Sequence, residues 1–340
     1  MKSLAVVVPR RTGEQTRRLL SERGLLRSDL RIRSDTDLIA FPVSGFPEPP
    51  IMGTLQEERE FQVQRPGVPR SYREWLSLPE AETRLLPRAF DVIGDLVLIR
   101  LPKELESRGP QIGEALLRFV PGARLAGVDR GVRGVERRRS LERLAGTGTW
   151  TTRHTENGLT LDVDLERAYF SPRLAREHAR VAAEVSEGER VFDLCCGVGP
   201  FALTIAHSAR AREIVAVDMN PDAIALGRSS ARRLGLADRI RFETLPLEEF
   251  VVGAGTADRV VFNLPREGIK YLPQVGTTVE PRGSLYYYEV TDVEQEGRRP
   301  SELVGILEGV GGRWSAVANR RVHPYAPTLD LRVYQFRREG

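Results

Sequence analysis

The stretch VFDLCCGVGPF, residues 191–201, decides how this chain is read. Val191, Phe192 and Leu194 predict a buried strand, Gly197, Val198, Gly199 and Pro200 a tight turn, and residues 201–208 an apolar helix. Strand, glycine turn and helix is the arrangement by which an open α/β sheet receives a nucleotide-like ligand. Glycine carries no Cβ, so the backbone can approach that ligand closely. A glycine pair alone also serves as a plain turn, and the next strand weighs between the two. Residues 213–217 (EIVAV) lead into Asp218, Met219, Asn220 and Pro221. An acidic residue about twenty positions past the glycines suits a ribose diol. The competing reading is a strand-end or capping carboxylate.

DxxxGxG, followed by VD at a second strand end, resembles the class I S-adenosylmethionine-dependent methyltransferases. Ala202 stands where a dinucleotide fingerprint has its third glycine. The resemblance implies that Asp193 faces the methionine amino group and Asp218 the ribose. Cys195, Gly197, Gly199, Pro200, Phe201, Met219 and Asn263 complete the expected cofactor-binding set.

Outward from this turn the chain has room for two or three domains in its 340 residues. Hydrophobic and charged fractions of 41% and 29% are those of a globular protein rather than a disordered one. Its basic residues are nearly all arginine, and the net charge of +4 points only mildly to an anionic partner. Their placement says more: residues 124–143 hold seven arginines against Asp129, Glu136 and Glu142. No apolar run reaches membrane-spanning length, and the N-terminus lacks a signal-peptide pattern. Cys195 and Cys196 are adjacent, unsuited to a structural disulfide or a zinc site by themselves, and fit a reducing cytoplasm. No residue is assigned to a metal.

Four segments are expected: a small domain over 1–50, a proline-stiffened linker over 51–71, a middle α+β domain over 72–165, and the α/β domain over 166–340. In the middle domain, 90–101 reads as strand with a glycine break and 109–119 as an amphipathic helix. Asn157-Gly158 marks a hairpin. Ser171-Pro172 starts a helix expected to run to about Ser186. Further alternation predicts a sheet of about seven strands, with Asn263-Leu264-Pro265 at the end of the strand over 258–262. Asn263 there reads either as part of a reactive site or as a cap of the following turn.

FDVIGDLVLIRLP (90–102), RAYFSPRLAREH (167–178), DLCCGVGPF, VDMNP and NLP occur in this order. Together they resemble the archaeal and eukaryotic tRNA (guanine-37-N1)-methyltransferase family, over almost the whole chain. The resemblance implies a class I, Rossmann-like methyltransferase domain behind two smaller N-terminal α+β domains. It implies S-adenosylmethionine as cofactor, dependence on Mg2+, and tRNA as partner; a monomeric cytoplasmic enzyme is expected. Guanine N1 carries a proton, so methylating it needs a base near N1 and a positive group near O6. Glu177, beside the apolar row Leu174, Val181 and Val185, is the expected base. Burial there would favour its neutral acid; a surface glutamate near Arg180 is the plainer reading. Arg137 is the expected O6 partner, with Arg138 and Arg139 as neighbours that could trade places with it or hold phosphates. Asn263 and Pro265 complete the catalytic set. Tyr169 stacks on the target base or packs as core, and Arg173 holds a phosphate or pairs with a carboxylate.

Departures from the family are Glu243-Thr244 at the adenine position, Lys270-Tyr271-Leu272 after NLP, and the paired cysteines. A sister family transfers the aminocarboxypropyl group of the same cofactor to a tricyclic base at tRNA position 37. GVGPF and the NLP proline favour methyl transfer over it. Methylation of a wyosine intermediate at that position, and tRNA binding without catalysis, are two further functions a chain of this kind could have.

Overall fold

The computed structural model describes residues 1–27, 29–35, 37–63, 69–134 and 138–340. Its chain divides into two units, Met1–Arg70 and Ser71–Gly340. In the first, KSLAVVVP forms β1 (Lys2–Pro9), followed by α1 (Gly13–Glu22), β2 (Arg33–Ser34), β3 (Leu38–Val43) and β4 (Leu55–Glu60). The sheet order is β2-β3-β1-β4, all antiparallel. The unbroken apolar run of β1 follows from its place inside the sheet. Val6 and Val8 pack with Leu20 of α1 and Phe41, while Ala5 and Val7 pack with Leu30 and Phe61.

β4 corrects the expected linker. Its LQEERE carries no proline, so its N–H groups are free to pair with β1, from Lys2↔Glu60 to Val7↔Leu55. Charged side chains suit it to the sheet edge.

The second unit begins with α2 (Glu80–Leu85), β5 (Phe90–Ile93), β6 (Leu96–Ile99), α3 (Gly109–Phe119), β7 (Leu125–Arg133) and β8 (Arg138–Gly146). Their sheet runs β5-β6-β7-β8, and α3 lays Ile112, Ala115 and Leu116 against Val97, Ile99 and Val128. Gly94, at φ +57°, turns β5 back onto β6, which is the break expected there. The arginine-rich stretch is built largely into β7 and β8, where Arg130 pairs with Glu142 at 2.8 Å. β9 (Thr151–Glu156) and β10 (Leu159–Asp164) form a hairpin. Asn157 and Gly158, at φ +49° and +77°, supply the positive angles its turn needs.

From there strand and helix alternate: α4 (Ala175–Ala183), β11 (Arg190–Leu194), α5 (Pro200–Ser208), β12 (Glu213–Asp218), α6 (Pro221–Arg233), β13 (Arg241–Thr244), α7 (Leu247–Gly253), β14 (Ala257–Phe262), α8 (Leu272–Thr277), β15 (Val279–Asp292), α9 (Arg299–Glu308), β16 (Trp314–Ala326) and β17 (Leu329–Arg338). α4 is shorter than expected at both ends. A single 3-10 turn over Pro172–Leu174 precedes it, and Ser171 makes no side-chain capping bond.

The seven-stranded sheet runs β13-β12-β11-β14-β15-β17-β16. Its first five strands are parallel, and β17 and β16 add an antiparallel edge. Both faces are covered, as a parallel sheet requires. Val181, Phe201, Ile205 and Ile224 pack on Val191, Ile214 and Val261 of one face. Phe250, Leu272 and Leu303 pack on Phe192, Val215 and Phe262 of the other. Strand order reverses around β11, which lies between β12 and β14. A crevice opens at the carboxyl ends of strands at such a point.

Inside the second unit, Arg259 of β14 is almost fully buried. Its guanidinium donates to Glu189 at 2.7 and 2.9 Å and to the Glu184 carbonyl at 2.6 Å. No helix among the described residues is long and apolar enough to cross a membrane.

Candidate active site

A cavity of about 930 Å³ lies at that crevice. One wall comes from strand ends of the seven-stranded sheet, with Asp193, Asp218 and Asn263; the other from residues 91–139, with Asp91, Arg100, Asp129 and Arg139.

Asp193 lies near the end of its strand at 0% exposure. Oδ2 accepts the Ala202 N–H of α5 at 3.0 Å, while Oδ1 is buried and has no hydrogen-bond partner. Burial first, and the negative charge of Asp218 second, push its carboxyl up to about 7. A cation seated against Oδ1 would reverse that shift, because an opposite charge favours the ionised form.

Asp218 fixes the glycine turn: Oδ2 accepts the Gly197 N–H at 2.8 Å and Oδ1 the Asn220 N–H at 2.9 Å. Asn220 in turn caps α6, accepting the Asp222 N–H at 3.0 Å, and donates to the Arg167 carbonyl at 2.7 Å. Cys195, Gly197, Pro200, Phe201, Met219, Asn263 and Pro265 all line the cavity with these carboxylates. Gly197 sits at φ +57°, where a side chain would be strained.

Gly199 does not line the cavity. It stands at φ +76°, and a Cβ there would lie 2.7 Å from Phe242 Cε1, so its missing side chain serves the packing of β13 rather than ligand approach. Both cysteines are free thiols.

The orphaned Oδ1, the glycine at positive φ and the second carboxylate at Asp218 fit a nucleoside that carries an amino acid with a free ammonium, such as S-adenosylmethionine. Leu245 and Leu247, just past β13, add apolar wall where the adenine contact had no candidate. Glu243 instead pairs with Arg241 and stays out of the lining. Among the described residues no group of three or more His, Cys, Asp or Glu side chains gathers that could hold a metal ion, so nothing in the site supports the expected dependence on Mg2+.

The residues expected to act on the substrate are distributed less evenly. Glu177 is 8% exposed but is not a cavity-lining residue. Arg180 Nε donates to its Oε2 at 2.9 Å, and the Tyr288 hydroxyl to its Oε1 at 2.9 Å. Spacing on α4 explains the first of these, since residues three apart share a helix face. Burial pulls the Arg180 pKa down, but its bonds to Glu177 outweigh that and the net shift is upward. Burial also holds Tyr288 well above the usual tyrosine range, so it stays a donor.

Arg137 lies outside the described residues. Arg138 pairs with Asp222 at 3.6 Å and does not line the cavity. Arg139 does, but not as a free phosphate ligand. Its side chain is buried, pairs with Asp129, donates to the Phe170 carbonyl at 2.7 Å, and lies 5.4 Å over the Tyr169 ring. Tyr169 is thereby steadied in the cavity wall. Arg173 lines the cavity in its carboxylate-paired form, held by Asp91 at 2.9 and 3.2 Å.

Sequence reasoning missed His178, Arg100, Lys103, Arg266, His323 and Tyr325, all cavity-lining. The basic ones carry no local motif. His178 had one signal, its place directly after Glu177 on the same helix turn.

Known protein families match successive parts of the chain. Residues 5–49 match the tRNA methyltransferase 5 N-terminal domain, 72–149 the TYW2 N-terminal domain, and 152–306 the TRM5/TYW2 methyltransferase domain. The chain is 32% identical to tRNA (guanine(37)-N(1))-methyltransferase Trm5b of Pyrococcus abyssi, over 97% of this chain and 99% of the relative. It is 31% identical to the Trm5b of Methanocaldococcus jannaschii, over 84% and 86%. The crystal structure of P. abyssi Trm5b superposes with a TM-score of 0.77, covering 99% of this chain and all of that one. A complex of aTrm5 with tRNALeu superposes with a TM-score of 0.70 at 29% identity, again over 99% and 100%.

Proposed function

Because the chain belongs to the Trm5 family of tRNA (guanine(37)-N(1))-methyltransferases, we propose that it methylates N1 of guanosine 37 in tRNA and that the cavity around Asp193 is where it does so. The observation that carries the site is the fully buried Asp193, whose Oδ1 has no partner of its own in the wall of a ligand-sized cavity. S-adenosylmethionine, when bound, supplies an electrophilic methyl group. Asp193 would hold the cofactor's ammonium, Asp218 its ribose, and Leu245 and Leu247 its adenine.

The remaining roles belong to tRNA. Guanosine 37 enters the cavity against Tyr169, which Arg139 steadies. Glu177 takes the N1 proton, exchanging one of its bonds to Arg180 or Tyr288 for the N1–H. Its neighbours Arg173, Leu174 and His178 line the cavity, which puts it one helix turn or less from the cavity wall. Arg137 balances the charge that builds on O6, and Asn263 and Pro265 orient the base edge. Arg100, Lys103 and Arg266 at the cavity wall meet the phosphates of the anticodon loop. The enzyme works as a monomer in the cytoplasm.

Two tRNA transcripts that differ only at position 37, guanosine or adenosine, test this reading. It expects methyl transfer, and a reverse-transcription stop at 37, in the guanosine transcript alone. A stop elsewhere, or equal transfer to both, would reject it.

A further inference from the structure

Among the described cavity-lining residues, two buried side-chain atoms able to accept a hydrogen bond have no partner. One is Asp193 Oδ1 and the other is His178 Nε2. His178 is 1% exposed, and its Nδ1 lies 2.6 Å from Glu156 Oε1, a carboxylate that is itself buried on β9. A carboxylate beside Nδ1 holds the proton there, because it can only accept. That leaves a lone pair on Nε2. The imidazole packs edge-on to Phe201, ring centroids 4.4 Å apart. Phe201 directly precedes Ala202, whose N–H binds Asp193. Both unsatisfied acceptors therefore belong to side chains that abut the first turn of α5, whereas the ribose carboxylate Asp218 binds the glycine turn that precedes it.

We propose that His178 Nε2 is the second acceptor for the cofactor's α-ammonium, and that Glu156 is the positioning residue that sets its tautomer. The chemistry is specific. An ammonium has three N–H donors, and Asp193 Oδ1 satisfies one of them; a neutral imidazole satisfies another without adding charge. A buried acceptor left unmatched costs free energy, so the pair selects for a ligand that brings donors to this spot. The inference rests on the cofactor reading of the cavity and assigns its methionine end.

The test is calorimetric binding of three nucleosides to the full chain. S-adenosylhomocysteine carries ammonium and carboxylate, decarboxylated S-adenosylmethionine carries the ammonium alone, and methylthioadenosine carries neither. His178→Asn keeps a donor for Glu156 but loses the Nε2 position. It is expected to weaken the first two ligands by about tenfold or more and methylthioadenosine by less than about twofold. His178→Gln places an amide oxygen where Nε2 stood and should recover part of the loss. Unchanged S-adenosylhomocysteine affinity in His178→Asn, with methylthioadenosine still bound, would overturn the proposal. So would a loss confined to ligands bearing the carboxylate. If the wild-type chain bound none of the three, the cofactor reading itself would fall, and the proposal with it.

Discussion

Replacing Asp193 by Asn should remove a pH dependence that the wild-type chain shows when it binds cofactor. In the ligand-free protein, burial and the nearby Asp218 push the Asp193 carboxyl up to about 7, against only one hydrogen bond that favours its charge. The cofactor's ammonium binds the ionised form. Apparent affinity therefore scales with the ionised fraction, which is roughly one half at pH 7 and one eleventh at pH 6. The sign is fixed: the ligand lowers a raised pKa, so affinity rises with pH and levels off above about 8. Binding of S-adenosylhomocysteine should weaken by roughly tenfold from pH 8 to pH 6. Methylthioadenosine, with no ammonium, should not follow that fall. Calorimetry in buffers of different ionisation enthalpy should register release of about half a proton on binding at pH 7. Asp193→Asn should bind more weakly at pH 8 and lose the tenfold slope. A flat wild-type profile between pH 6 and 8, or the same slope in Asp193→Asn, would show that ionisation of Asp193 does not govern cofactor binding.

Glu177→Gln should slow single-turnover methyl transfer by roughly a hundredfold or more while leaving S-adenosylhomocysteine affinity within about twofold; an unchanged rate would remove Glu177 as the base. Arg259→Met leaves its Glu189 partner unpaired and should cost about 3 kcal/mol, read as a lower urea midpoint. A midpoint equal to wild type would show that pair to be worth no more than a surface one. Gly199→Ala, at φ +76° and against Phe242, should destabilise by roughly 1–3 kcal/mol, seen as a fall in Tm. Arg100, with its side chain 74% exposed at the cavity wall, should contribute about one counterion to the salt dependence of tRNA binding, so that Arg100→Ala flattens the slope of log K against log salt.

The fold was legible where local chemistry dictates it. Asn157-Gly158 can form few turns other than the one it forms, and the short β-branched and aromatic segments VFDL (191–194) and VVF (260–262) suit strands covered on both faces. Residues 55–60 were hidden because prolines flank them, and proline forbids pairing only at its own position. The carboxylates Asp193 and Asp218 could be placed because the glycine turn ties them to fixed strand ends. Tertiary contacts decided the rest. Spacing could not say that Gly199 faces Phe242 rather than a ligand, or that Arg139 turns inward to Asp129 and the Phe170 carbonyl. His178 has the same ring wherever it lies. Only its burial between Glu156 and Phe201 leaves one nitrogen without a partner in the cavity wall. Cationic residues of the opposite wall, Arg100 and Lys103, lie far from the glycine turn in sequence, and no motif joins them to it.

Methyl rather than aminocarboxypropyl transfer, and to N1 rather than another atom, shows in both products of a single reaction. An unmodified guanosine-37 tRNA transcript is incubated with the chain and S-adenosylmethionine, digested to nucleosides, and the nucleosides and the spent cofactor are identified by mass spectrometry. The expected products are N1-methylguanosine and an equal amount of S-adenosylhomocysteine. Methylthioadenosine as the spent cofactor, or a methylated nucleoside other than N1-methylguanosine, would contradict it.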